Sequence, residues 1–347
     1  MLLNRYIAWF ECSPKVYVLK IEKAVITAAG EGSGCFRSRG VSGKRWLPLC
    51  AKSRSDGLTL KPLVQIILEE LYALGLRSFC FVVRRGEHMI KDYFTLRETY
   101  LKYLKRMGKL SEDLEALRQI LSDVNLEFVY QPLPKGFGDA VRRAADFVGD
   151  DPFVLHAGDG LILNGRQVYA GLVDAFLRTQ ASGMLLTRLV NNPTKYGVVS
   201  GRFEVVNGSR VFYVDGVVEK PTSPPSNMAL VAVYVFDHTI MDALQATLAG
   251  PTGEVELTDG IMHLIRRNGR VYALELDEVK YKWLSVGTPE GYFEGVGDHK
   301  AQCRGFLGLR QSVLGNMTSL LASSLSLYLT KSSSIMLSSS SSILVRL

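Results

Sequence analysis

From residue 21 to about residue 296 the chain alternates short apolar runs with longer segments whose apolar residues return at helical spacing. The runs "AVITAA", "SFCFVVR", "LEFVYQ", "PFVLHAGD", "GMLLTRLV" and "VAVYVFD" are brief, rich in β-branched and aromatic residues, and predict strands. The segments "LVQIILEELYALGL", "GDAVRRAADFV", "AGLVDAFLRTQ", "TIMDALQATL" and "TDGIMHLIRRNG" predict helices. In the first of these, Leu63, Ile66, Ile67, Leu71 and Leu74 make one core-facing stripe, and Gly75 stands where a C-cap glycine belongs. Strand and helix in alternation predict an α/β fold: a Rossmann-like, mixed, mostly parallel sheet flanked by helices. On such a sheet ligands bind beyond the carboxyl ends of the strands. Gly30, Gln131, Asp159 and Glu219 all stand at or just past such ends.

The pattern divides the chain into an N-terminal extension (1–20), a main domain (21–297) and a Ser/Leu-rich tail (298–347). Glu11 and Pro14 interrupt the first segment, so it does not read as a signal peptide; an extra strand and a start assigned too early account for it equally well. The tail is low in complexity and nearly free of acids, which predicts disorder, with a weak amphipathic anchor as the alternative.

Composition narrows the partners. The chain has 347 residues, 47% of them hydrophobic, enough for a substantial core. Its net charge of +7 invites a nucleic-acid reading, but the basic residues are scattered and not interleaved with aromatics, so nucleic acid is not the expected partner. Cys12, Cys35, Cys50, Cys80 and Cys303 form no CxxC pair, which argues against zinc and disulfides and fits a cytoplasmic protein. No apolar run reaches the roughly 18–20 residues of a membrane span.

The chemistry concentrates first in "AVITAAGEGSGCFRSRGVSGKRWLPL", a strand followed by a glycine-rich loop and a basic cluster. Such a loop lets backbone N–H groups approach an anion. It is not a dinucleotide fingerprint, because Cys35 stands where the third glycine belongs after Gly30 and Gly32. Nor is it a P-loop: Ser38 and Arg45 occupy the outer positions around Gly43 and Lys44.

Further on, the order "AAGEGSG…KRWLPL", "KPLVQIILEEL", "QPLPKGFGDAV", "VLHAGDG", "KYGVV", "VVEKP", "SNMALVAVYVF", "GEVELTDGI" and "WLSVGTPEGY" resembles the sugar-phosphate nucleotidylyltransferases, especially the UTP-glucose-1-phosphate uridylyltransferase group of bacteria and archaea. The resemblance is colinear over about residues 22–297. It implies the nucleotide-diphospho-sugar transferase, GT-A-like fold and an Mg²⁺-dependent enzyme. The reaction would join a pyrimidine nucleoside triphosphate, UTP foremost, to a hexose 1-phosphate, glucose 1-phosphate foremost, releasing pyrophosphate. A thymidylyltransferase using dTTP and a non-catalytic regulatory paralogue stay open as alternatives. Family members are commonly homo-oligomers, which extends to this chain as an expectation.

Carried over by motif, Ala28, Ala29, Gly30 and Gly32 match the loop around the nucleotide, and Lys44 matches the lysine that neutralises triphosphate charge. Gln131 and Gly136 match the base-recognition pair, the amide offering the base edge a donor and an acceptor together. Asp159 matches the metal-binding aspartate, whereas Asp139 reads only as a helix N-terminal acid. Glu219 and Lys220 match the pair that holds sugar hydroxyls and sugar phosphate, with Gly197, Asn227 and Thr258 near the sugar. Lys44, Asp159 and Lys220 are the expected catalytic group.

Two positions depart from the family pattern. Gly34 stands where an arginine usually contacts the triphosphate, with Arg37 and Arg39 near in sequence, and Ser285 stands where an aspartate usually joins the metal site. Both lower the charge available to organise two polyanions.

Overall fold

Residues 24–28 are buried on both faces of their strand, which is why they read as an unbroken apolar run and not as an alternation. The computed structural model describes residues 21–30, 46–55, 57–86 and 88–293. In chain order its strands are β1 (Lys23–Ala28), β2 (Pro48–Lys52), β3 (Leu58–Pro62), β4 (Ser78–Arg84), β5 (Asn125–Gln131), β6 (Phe153–Ala157), β7 (Gly160–Leu163), β8 (Gly183–Leu189), β9 (Gly197–Val206), β10 (Ser209–Glu219), β11 (Met228–Phe236), β12 (Val271–Glu275) and β13 (Lys282–Ser285). The helices are α1 (Leu63–Ala73), α2 (Met89–Phe94), α3 (Glu98–Arg106), α4 (Glu112–Asp123), α5 (Phe137–Arg142), α6 (Ala145–Val148), α7 (Arg166–Thr179), α8 (Thr239–Ala246) and α9 (Leu257–Arg266).

Nine strands form one mixed sheet in the order β5-β4-β1-β6-β11-β8-β12-β10-β9. The first four run parallel, as the βα alternation requires. β11 then reverses: it pairs antiparallel with β6, β8 and β9, so parallel and antiparallel ladders share the sheet. Alternate residues of the central strands enter opposite cores. Ala24, Ile26, Phe79 and Phe81 face the layer of α1 and α7, whereas Val25, Cys80 and Val82 face the layer of α5, α8 and α9. A sheet covered on both faces leaves its strand ends as the open surface.

Each predicted strand and helix forms, "GDAVRRAADFV" as the two short helices α5 and α6. Leu63, Ile67 and Leu71 of the α1 stripe are fully buried, Ile66 and Leu74 partly so, and Gly75 ends the helix at φ 103°. Among the described residues no helix is long and apolar enough to cross a membrane. The expected N-terminal extension and Ser/Leu-rich tail lie outside the described residues.

Candidate active site

The site lies along the edge where β1, β5 and β6 end and β11 begins. At the β1 end, Ala28 and Ala29 are buried and Gly30 is exposed. Gly32, Lys44 and the departing Gly34, with Arg37 and Arg39, lie outside the described residues.

Asp159 stands two residues past β6, on a loop pinned to β1: the Gly158 N–H donates to the Thr27 carbonyl at 2.8 Å. A Cβ at Gly158 would come within 2.6 Å of that oxygen, so the contact admits only glycine. The loop's other side is held by a second sheet, in which β7 pairs antiparallel with β13 and sets Ser285 opposite Gly160. The Val286 N–H donates to the Asp159 carbonyl at 2.9 Å. Asp159 and Ser285 are thus neighbours, both exposed, as the alignment of "WLS" with a metal-site motif implies. Beneath this loop His156 is fully buried, and burial pulls its imidazole down to about 4 despite its hydrogen bond to the Ala157 carbonyl, so it is neutral packing.

Gln131 and Gly136 come together at the β5 end: Gln131 Nε2 donates to the Gly136 carbonyl at 3.1 Å and to Asp139 Oδ2 at 2.8 Å. Both amide N–H groups are therefore taken inside the protein, and Gln131 offers outward an acceptor alone, not the donor and acceptor together that the sequence suggests. Asp139 is likewise more than a helix-end acid, being 0% exposed and bound to Gln131, Arg142 and Arg143. Gly136 has φ 97° and lies against residue 255, where any Cβ would meet the Val255 carbonyl at 2.5 Å. The Gly138 N–H donates to that same carbonyl at 2.8 Å, tying this end of the site to the segment that leads into α9.

Through that segment the first group reaches the second. Thr258, 4% exposed at the start of α9, donates to Glu219 Oε2 at 3.4 Å. Gly197 opens β9 beside them: a Cβ there would lie 2.9 Å from Thr258 Cγ2 and 3.1 Å from Glu219 Oε2. Lys220 Nζ sits 3.3 Å from Glu219 Oε1, with its side chain 61% exposed. Burial pulls the Lys220 ammonium down, but Glu219, Glu256 and Glu254 outweigh it and hold the group above the usual lysine range. Lys220 carries φ 41°, in the left-handed region, and its N–H is held by the Tyr196 carbonyl at 3.0 Å. Asn227 stands exposed just before β11, its carbonyl accepting from the Val190 N–H at 3.0 Å.

The sequence reading passed over Glu256. Burial first, then Glu219, raises its carboxyl to about 7, with Lys220 opposing. Three acids around one lysine were visible in "VVEKP" and "GEVELTDGI", but nothing in the chain's order says that these segments meet. Among the described residues no cluster of three or more His, Cys, Asp or Glu could hold a metal by itself. One exposed carboxylate nonetheless suits Mg²⁺, which takes one or two protein carboxylates and completes its shell from phosphates and water.

The Nucleotidyl transferase family model matches residues 39–302. A UTP–glucose-1-phosphate uridylyltransferase of Streptococcus pyogenes is 30% identical over 282 residues, covering 79% of this chain and 89% of that protein. Among solved structures, a UTP-bound UGPase from Acinetobacter baumannii superposes with a TM-score of 0.65 at 24% identity, covering 84% of this chain and 100% of its own. A putative glucose-1-phosphate thymidylyltransferase from Bacillus anthracis reaches 0.56 at 20% identity, covering 80% and 94%.

Proposed function

From the premise that this chain belongs to the nucleotidyl transferase family, we propose that it joins UTP to glucose 1-phosphate, giving UDP-glucose and pyrophosphate. The observation that carries the reading is the order of groups along the sheet edge. Gln131 ends β5 with Gly136 at the start of α5, Ala28 ends β1 with Ala29 and Gly30 after it, Asp159 follows β6, and Glu219 and Lys220 lie beyond β11. From β5 to β6 is three strand spacings, roughly 14 Å, room to lay a nucleotide from base to phosphates. Asp159 thus stands between a site fit for the nucleotide and one fit for the sugar phosphate.

In this reading Gln131 reads the base edge and the loop after β1 gives backbone donors to the triphosphate, with Lys44 neutralising its charge. Glu219 and Thr258 hold sugar hydroxyls, Asn227 adds a polar contact, and Gly197, lacking a side chain, lets Thr258 and Glu219 close together. Lys220 draws the sugar phosphate against the triphosphate, so that a phosphate oxygen attacks the α-phosphorus and pyrophosphate leaves in line. No side chain forms a covalent intermediate; the protein orients two polyanions and offsets their repulsion. Asp159 is the residue that would hold a divalent ion, Mg²⁺ in our reading, which when bound neutralises charge on the reacting phosphates. Ser285 adds a neutral hydroxyl where a second carboxylate would bind more tightly.

The test is pyrophosphate release by the full chain, with and without Mg²⁺, from UTP, dTTP, CTP, ATP and GTP against a panel of sugar 1-phosphates. Metal-dependent release with UTP and glucose 1-phosphate is expected. Release confined to dTTP would move the assignment to thymidylyl transfer, and a folded protein that releases nothing would refute it.

A further inference from the structure

Gln131 is 3% exposed, and both groups that face its amide nitrogen are acceptors: the Gly136 carbonyl and Asp139 Oδ2. An amide's nitrogen and oxygen are alike in shape, so its neighbours decide which way it points. A carbonyl cannot donate. Asp139 cannot donate either while it is ionised, and its surroundings keep it so. Arg142 donates to Asp139 Oδ1 from Nε at 2.9 Å and from Nη2 at 2.6 Å, and Arg143 donates from Nη2 at 3.1 Å. Burial opposes the charge, but hydrogen bonds from Gln131 and Arg142 and the two guanidinium charges outweigh it and hold the carboxyl below the usual range. The amide nitrogen must therefore face inward. Oε1 is turned the other way, and among the described residues it accepts nothing.

We infer that Asp139 is a positioning residue that locks the Gln131 amide carbonyl-outward, so that the nucleotide site selects a base with a ring N–H and rejects cytosine. Uracil and thymine carry an imide N–H that can donate to Oε1. Cytosine has an acceptor at the same ring position, and two acceptors facing each other leave both unpaired in a partly desolvated site. A buried hydrogen-bonding group discriminates strongly because its mismatch is left unsatisfied. The inference rests on the reading of Gln131 as the base-recognising residue and adds the device that fixes its polarity. A carboxylate fits this task better than an amide: an asparagine side chain in its place could turn its own N–H₂ toward Gln131 and let the glutamine flip.

Equilibrium binding of UTP, CTP and N3-methyl-UTP to the wild-type protein, Asp139→Asn and Gln131→Met tests this, with circular dichroism as a check on folding. The wild type should prefer UTP over both analogues by about tenfold or more. In Asp139→Asn the UTP:CTP ratio should fall about tenfold toward unity while the fold is kept, a change that loss of packing alone would not produce. An unchanged ratio in a folded Asp139→Asn, with Gln131→Met losing its preference, overturns the role of Asp139 and leaves the base-site reading standing. An unchanged preference in Gln131→Met overturns both. Wild-type protein that binds CTP as tightly as UTP overturns the inference without any variant.

Discussion

Lys220 is held at φ 41°, a conformation that costs an L-residue about 1–2 kcal/mol, in order to aim its ammonium past Glu219. Lys220→Gly should therefore keep or raise the melting temperature while kcat/KM falls by roughly 100-fold or more. A loss of several degrees, with activity retained, would show that the residue serves the fold. Glu256 makes a second residue-level prediction. Its folded pKa of about 7 lies above the ordinary 4.5, so the folded chain holds a proton that the unfolded chain releases. The contribution to stability is full below about 4.5 and is lost as the pH rises through about 7. Melting scans of the ligand-free protein should contain a falling component in that window, and Glu256→Gln should remove it. At this scale the sequence was partly legible. "VVEKP" and "GEVELTDGI" named Glu219, Lys220 and Thr258, which do meet. The polarity of Gln131 was not legible, because it depends on what faces each amide atom, and only folding brings Gly136 and Asp139 there.

At the scale of elements, the site depends on how closely loops approach strands. Gly158→Ala would drive a Cβ to 2.6 Å from the Thr27 carbonyl and push the Asp159 loop off β1. We expect a loss of about 1–3 kcal/mol in stability and a larger proportional loss of turnover, measured as denaturant midpoint against kcat; unchanged kcat would mean that the loop does not need β1. The central strands and their helices were legible because burial on two faces writes a continuous apolar run, and on one face a helical stripe. The strand ending at Glu219 was legible, but its hairpin pairing with β9 was not, although Asn207-Gly208, at φ 48° and 79°, carries the sequence of a tight two-residue turn. β9 is buried only over residues 197–199 and β10 only at Val211, Phe212, Val214 and Val217, so neither writes an apolar run over its whole length. Helices α3 and α4 were missed for a related reason: each buries only one or two residues, so charge dominates their sequence.

Over the whole molecule, one sheet edge gathers groups that are far apart in sequence, from Ala28 to Ser285. Colinear motifs made that assembly legible in outline. What they could not convey is the reversal at β11, which pairs with β6 on one side and with β9 on the other and so links the strand that leads to Asp159 with the hairpin that ends in Glu219. The departure at Ser285 makes its prediction here, since β13 holds that position beside Asp159. Ser285→Asp should lower the Mg²⁺ concentration for half-maximal turnover by about tenfold, and an unchanged requirement would place the ion elsewhere. The claim on which the rest depends is that Asp159 joins the two halves through a divalent ion. The direct measurement pairs UTP binding with pyrophosphate release in the wild-type protein and Asp159→Asn across a Mg²⁺ titration. The account predicts that Asp159→Asn folds and still binds UTP without metal, but loses release by a factor of roughly 100 or more at saturating Mg²⁺. Release that survives the substitution, with the same dependence on Mg²⁺, would contradict it.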